Sequence, residues 1–171
     1  MTAENITFRS IVRFEDIEDV SEIVRSTNFF REDEVLVARE LVEEAFHKGK
    51  ESGYEFIFAE VDGRTISYSC YGLIPCTLKS YDLYWIATHN DFRGKGIGRI
   101  VLKKTEEAVA ILGGKTVYVE TSSKEQYIST RLFYEKNDYT LKAQFEDFYD
   151  IGDDKCVYTK VVDSLNVLRD T

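Results

Sequence analysis

Arg93, Lys95 and Arg99 alternate with glycines in Arg93-Gly94-Lys95-Gly96-Ile97-Gly98-Arg99, a composition suited to holding phosphate. Glycine lets the backbone approach a ligand closely, and the three side chains place positive charge on a chain that is otherwise acidic. After the turn, Ile97, Val101, Ala108 and Leu112 recur at helical spacing, which sets the glycines at a helix N-terminus. The first N–H groups of a helix have no carbonyl partner within it and can bond phosphate oxygens. The stretch reads as a pyrophosphate cradle. It follows the apolar run Asp82-Leu83-Tyr84-Trp85-Ile86-Ala87-Thr88, so the backbone of Ile86, Ala87 and Thr88 lies where a ligand held on the turn would extend. Spacing narrows the ligand. A nucleoside-triphosphate loop needs Lys-Ser or Lys-Thr after the glycines, and none follows here. The dinucleotide fingerprint needs glycines at its first, third and sixth positions, but they fall at 94, 96 and 98, with Arg99 in the sixth.

Among titratable groups, Glu120 ends a predicted strand at its C-terminal side, where ligands gather in open α/β sheets, and its carboxylate can take a proton directly or through water. His47 falls on the polar side of a helix, and His89 lies near the glycines without an evident partner. Cys70, Cys76 and Cys156 are odd in number and lack CxxC spacing, which opposes a disulfide framework and a zinc site alike; reduced, buried thiols are expected. No nucleophile–base pair is visible, so neither covalent catalysis nor a metal is assigned.

A chain of 171 residues carrying a formal charge of −9 is a poor candidate for nucleic-acid binding, which depends on Lys and Arg neutralising phosphates. A cationic partner suits it better. There is no 18-residue apolar run and no signal-peptide pattern after Met1, so a cytoplasmic protein without membrane attachment is expected. The length and the absence of a linker predict a single domain, residues 1–171.

The elements that must position these groups follow from periodicity and punctuation. A strand is predicted over 6–14, a short helix over 16–27, and a second helix over 33–48 with the stripe Val35, Ala38, Leu41, Val42, Ala45 and Phe46 stopped by Gly49. Strands over 54–61 and 65–74 flank Asp62-Gly63, a hairpin signal. A central strand over 81–88, apolar on both sides apart from its ends, runs into the glycine turn and a helix over 95–112. A strand over 116–121 precedes a helix whose capping box is Ser122 or Ser123 with Glu125 or Gln126. Strands over 139–149 and 155–162, turning at Gly152-Asp153-Asp154, complete the order βααβββαβαββ.

With Arg93-x-x-Gly96-x-Gly98 after the fourth strand and Leu132-Phe133-Tyr134-Glu135-Lys136-Asn137-Asp138-Tyr139 after the fifth, the chain resembles the GCN5-related N-acetyltransferase (GNAT) family, most strongly over 82–139. The resemblance implies an α/β fold, a mostly antiparallel mixed sheet of about seven strands flanked by about four helices. It implies acetyl-CoA as co-substrate, held by Ile86, Ala87, Thr88, Arg93, Gly94, Lys95, Gly96, Ile97, Gly98 and Arg99. The activity it implies is acetyl transfer to a primary amine of a small molecule or peptide by direct attack. Lysine-like amines have a pKa of ~10.4, so only about one in 2,500 is neutral at pH 7. Some relatives carry a catalytic glutamate at the place of Glu120, and Tyr134 matches the family tyrosine that protonates the departing thiolate. An acyl-CoA-binding sensor without transferase activity is the alternative. A homodimer is also implied, since family members often pair through late strands. Two departures stand out: Asp138 replaces the glycine that commonly ends this helix, and Ser123, Lys124 and Glu125 stand where relatives often place an asparagine.

Overall fold

In the computed structural model, which describes residues 6–162, the β-branched and aromatic runs form strands and the amphipathic runs form helices. The order is β1 (Thr7–Arg9), α1 (Asp16–Ser26), α2 (Glu32–Lys48), β2 (Glu55–Val61), β3 (Arg64–Leu73), β4 (Ser80–Thr88), α3 (Ile97–Ile111), β5 (Thr116–Ser122), α4 (Ile128–Lys136), β6 (Thr140–Asp150) and β7 (Asp153–Val161). This is the βααβββαβαββ order and a mixed α/β fold. The strands hydrogen-bond as β1-β2-β3-β4-β5-β7-β6. β4 is central and runs parallel to β5, Ser80–Asp82 lying beside Thr116–Tyr118, while β1/β2, β2/β3, β5/β7 and β6/β7 are antiparallel. Among the described residues no helix is long and apolar enough to cross a membrane. Two compact units emerge, residues 6–72 with 84–105 and residues 73–83 with 106–162; the ends of the expected span 1–171 lie outside the described residues.

The first unit is built on the β2–β3 hairpin. Asp62 and Gly63 have φ of 51° and 80°, the two left-handed residues that a type I′ turn requires. Ile17, Val20, Ile23 and Val24 of α1 and Val35, Ala38, Val42 and Ala45 of α2 cluster with Phe56, Phe58, Tyr68, Cys70 and Ala87. Phe46 falls outside this core, exposed against Phe14 at 5.8 Å between ring centroids. The first strand stops at Arg9 rather than Phe14, because electrostatics redirects the chain: fully buried Asp16 pairs with Arg9 and accepts the Arg13 N–H at 2.7 Å, turning the backbone into α1. β4 is covered unevenly, with Tyr81, Leu83 and Ala87 buried and Tyr84 exposed.

In the second unit, β5 is the spine. Its burial alternates, with Val117, Val119 and Thr121 covered and Glu120 exposed. Val119 pairs with Tyr158, whose ring lies 6.3 Å from that of Tyr134 in α4, and Lys160, paired with Val117, bonds Glu106 of α3 at 2.8 Å. One face is therefore covered by helices. Residues two apart on a strand share a face, so Tyr118, Glu120, Val157 and Lys155 occupy the other, which stays part-exposed.

Four expectations fail here. Ser122 and Ser123 do not cap a helix. Ser122 Oγ donates to Asp153 and accepts the Lys124 N–H, Ser123 Oγ accepts the Asp154 N–H at 2.8 Å, and α4 begins only at Ile128 after a 3-10 turn. The buried face of α3 turns toward Leu102, Thr105 and Val109, leaving Ala108 at its rim and Leu112 beyond its end; Thr105 is buried because its hydroxyl bonds Val101 O and Ser69 Oγ. Finally, Asp153 and Asp154 belong to β7, the turn before it being Ile151-Gly152, and Cys76 is exposed while Cys70 and Cys156 are buried free thiols.

Candidate active site

The glycine turn is positioned from behind. Ser67 Oγ donates to Ala87 O at 2.9 Å and bonds Thr88 Oγ1 at 2.8 Å, fixing the end of β4. The His89 N–H reaches Ile66 O at 2.8 Å, and Asn90 N–H reaches Ser26 Oγ at 3.0 Å. His89 Nδ1 accepts the Asp91 N–H at 3.3 Å and its ring meets Phe92 edge-on, so this histidine shapes the turn. Arg93 is extended, and Gly94 and Gly96 follow with φ of 75° and 79°. Any L side chain there pays for the left-handed backbone, although a Cβ would meet nothing within 4 Å at either position. The glycines thus serve backbone shape and open approach. Ile97, nearly fully buried, anchors α3, and the first helical bond runs from Ile100 N–H to Gly96 O at 3.2 Å.

The cations surround this helix end. Arg93 lies over Phe29 at 5.9 Å, Lys95 Nζ donates to Asp91 O at 2.9 Å and sits over Phe92 at 5.1 Å, and Arg93, Lys95 and Arg99 are exposed. First-turn N–H groups, left-handed glycines and flanking cations together form a donor set that fits a diphosphate. Ile86, Ala87 and Thr88 end β4 in the same unit, Ala87 buried and its neighbours half-buried.

In the second unit, Glu120 and Tyr134 do not meet. Glu120 lies on the part-exposed face, its carboxylate 3.2 Å from Lys155 Nζ. Tyr134 lies under the covered face, 5% exposed, its ring 5.4 Å from Phe133 and 5.5 Å from Tyr139. Burial pushes the Tyr134 phenol well above its ordinary value, so it is fully protonated near neutrality but a reluctant acid.

Several residues near Glu120 escaped the sequence reading. Asp82, half-buried on β4, has a carboxyl raised first by burial and then by the charge of Glu120, with Lys155 acting in the opposite sense. The Tyr149 phenol is pushed up to about 12, by burial first and by Glu120 second. Lys155 Nζ lies 4.0 Å from the Phe148 ring centroid and 5.5 Å from that of Phe145. The only sequence signal was polar residues within otherwise apolar strands. Among the described residues no three His, Cys, Asp or Glu side chains gather as a metal site requires.

A profile of the acetyltransferase (GNAT) domain matches residues 52–141. A GNAT-family protein from Desulfovibrio desulfuricans is 39% identical, with 92% of this chain and 99% of that one covered and a TM-score of 0.91. Two more distant structures share the fold: the ribosomal-protein-S18-alanine N-acetyltransferase of Escherichia coli, at 15% identity, 92% and 94% coverage and a TM-score of 0.71, and an aminoglycoside 6'-N-acetyltransferase complexed with coenzyme A, at 17% identity, 91% and 97% coverage and a TM-score of 0.72. The comparison with curated proteins finds no match.

Proposed function

Given that the chain belongs to the GNAT acetyltransferase family, we propose that it moves the acetyl group of acetyl-CoA to a primary amine of a cationic small molecule or peptide, by direct attack and within one domain, residues 1–171. The observation that carries this reading is the Arg93–Arg99 turn, where two left-handed glycines open the N-terminus of α3 and three cations flank it. These residues would hold the diphosphate, with Ile86, Ala87 and Thr88 offering backbone bonds to the arm that ends in the thioester.

Direct attack is favoured by the state of the two buried thiols. Burial raises the Cys70 and Cys156 thiols, disfavouring the thiolate that a covalent relay would need. In the proposed step the neutral amine nitrogen bonds to the thioester carbonyl carbon, the C–S bond breaks, and the thiolate takes up a proton. Glu120 receives the amine proton, and Tyr134 supplies one to sulfur. These two side chains lie on opposite faces of the β5–β7 sheet, so in this step Glu120 receives the amine proton through intervening water and not by direct contact. Tyr134 carries its proton near neutrality, as a donor must, while its raised phenol makes the transfer to sulfur less favourable than from an ordinary tyrosine. The homodimer belongs to the same reading, supported by β6, the last strand of the sheet, being exposed along nearly its whole length.

The test is thiol release from acetyl-CoA over a panel of polyamines, aminoglycosides and peptide N-termini, beside calorimetric binding of acetyl-CoA. Release with an amine and the acetylated product by mass spectrometry are expected. Tight binding without release for any amine would replace this reading with the acyl-CoA sensor.

A further inference from the structure

Glu120, Phe148 and Phe145 enclose an ammonium group, and that ammonium is the chain's own. Lys155 Nζ stands 3.2 Å from Glu120 Oε1, 4.0 Å from the Phe148 ring centroid and 5.5 Å from the Phe145 centroid. A carboxylate on one side and the negative face of an aromatic ring on the other is how proteins bind alkylammonium ions in water. Register explains the assembly: Phe145 of β6 pairs with Lys155 of β7, which pairs with Ser122 of β5, two residues from Glu120 on the same face.

The walls of this recess are open while its occupant is covered. The Lys155 side chain is 16% exposed, but that of Glu120 is 50% exposed, and Phe145 and Phe148 are similarly half-exposed. Solvent, and a ligand arriving from it, can therefore reach the carboxylate and both rings. Charge is also out of balance, because half-buried Asp82 on β4 adds a second carboxylate that feels Glu120 and shares Lys155 with it, and the Tyr149 phenol feels Glu120 as well. One ammonium serves two carboxylates.

We propose that this recess is the subsite for a cationic group of the acceptor, and that Lys155 is a specificity-determining residue that holds it until a better-bound ammonium displaces it. The inference rests on the amine-acetyltransferase reading. It explains how an acceptor cation is selected at a surface that already carries a lysine: a flexible monovalent side chain yields to a ligand with two or more linked ammonium groups, and not to a singly charged amine.

Calorimetric titration of spermidine and of n-butylamine into the protein, without acetyl-CoA, tests the subsite apart from turnover. Lys155→Met should bind spermidine roughly five- to tenfold more tightly than wild type, the scale of one part-exposed ion pair plus one cation–π contact that no longer compete. Lys155→Arg, which keeps the plug, should match wild type, and butylamine should change less than spermidine. Adding Glu120→Gln or Phe148→Ala to Lys155→Met should remove the gain. A gain that survives Glu120→Gln would reduce the effect to net charge and overturn the proposal. So would equal or weaker spermidine binding by a Lys155→Met protein of unchanged thermal stability, or no spermidine binding by either protein. If the calorimetric contrast holds but no amine triggers thiol release, the transferase reading falls and the ammonium subsite stands; release without the contrast does the reverse.

Discussion

The glycine turn and the α4 terminus are both short, motif-bearing segments, yet they expose their chemistry in opposite ways. At the turn, Gly94, Lys95, Gly96 and Arg99 are all exposed, and the groups proposed to bind the coenzyme are main-chain N–H donors at a helix end. At α4 the chemical group is a side chain, Tyr134, sealed among Phe133, Tyr139 and Tyr158. A backbone-built site depends on dihedral angles, which glycine spacing announces. A side-chain site depends on burial, which only the assembled structure reveals. The variants below separate these two dependences.

The largest effect belongs to the turn. Gly96 has φ of 79°, and a β-branched residue there carries a left-handed penalty of ~1–2 kcal/mol or shifts the loop out of shape. Where the shifted loop also withdraws its main-chain N–H donors from the diphosphate, Gly96→Val should raise the KM for acetyl-CoA by about 100-fold, or ~2.7 kcal/mol. At a ligand concentration of ~100 times the wild-type Kd, wild type gains about 2.7 kcal/mol of stability, and the variant should gain almost nothing in the same thermal-shift titration. Equal stabilisation of both proteins would remove the turn from coenzyme binding.

Tyr134→Phe should cost kcat on the order of tenfold to 100-fold with the acetyl-CoA KM nearly unchanged, since positioned proton donors contribute ~10²–10⁴-fold and the ring is kept. The sign of its pH behaviour follows from burial. A phenol raised above its ordinary value of ~10 stays protonated throughout the working range, so Tyr134 should contribute no alkaline fall in kcat below pH ~10. A wild-type alkaline limb at lower pH that vanishes in Tyr134→Phe would show the phenol to be a stronger acid than its surroundings allow. Loss of stability with kcat preserved would make Tyr134 a packing residue.

Glu120 offers a smaller effect, because its half-exposed carboxylate can be replaced in part by water. Glu120→Gln should lower kcat/KM about tenfold near neutral pH and recover at higher pH, as more of the acceptor is already neutral. A profile lowered equally at every pH would leave Glu120 with acceptor binding alone and no part in deprotonation.

How legible these regions were follows from the same contrast. The element order, the Asp62-Gly63 hairpin and the glycine turn were readable because turn residues and apolar periodicity act locally. The early end of β1 was not, since the pull of Asp16 on Arg9 and Arg13 is a tertiary interaction. Ser122 and Ser123 matched a capping pattern, but Asp153 and Asp154, about 30 residues away, compete successfully for their hydroxyls and amides. Thr105 was passed over as polar, and the Lys155 recess joins three strands whose register no spacing rule supplies. Tyr134 was named by its motif, while its enclosure and its separation from Glu120 needed the alternation of β5 and β7.

The smallest effect concerns what holds Tyr134 in place. Asp138 has φ of 68° and follows α4 where relatives commonly carry glycine. The Tyr139 N–H bonds Tyr134 O at 3.0 Å and the Asp138 N–H bonds Glu135 O at 3.2 Å, the paired bonds of a Schellman ending, with the Tyr134 and Tyr139 rings 5.5 Å apart as its apolar contact. The left-handed residue therefore locks the carbonyl and the ring of the proposed proton donor. Asp138→Gly removes both a strained φ and a negative charge from the carbonyl end of a helix, offset by the greater freedom of glycine in the unfolded chain. A net gain of about 0.5 kcal/mol, or roughly 1–2 °C in Tm, is expected, with kcat unchanged. Asp138→Val should instead lose about 1–2 kcal/mol, because a β-branched residue resists positive φ. It should also lower kcat by misplacing Tyr134, so denaturant unfolding and turnover must fall together. If Asp138→Val unfolds more easily but turns over at the wild-type rate per folded molecule, the helix ending and the phenol are uncoupled, and the aromatic cluster alone sets the position of Tyr134.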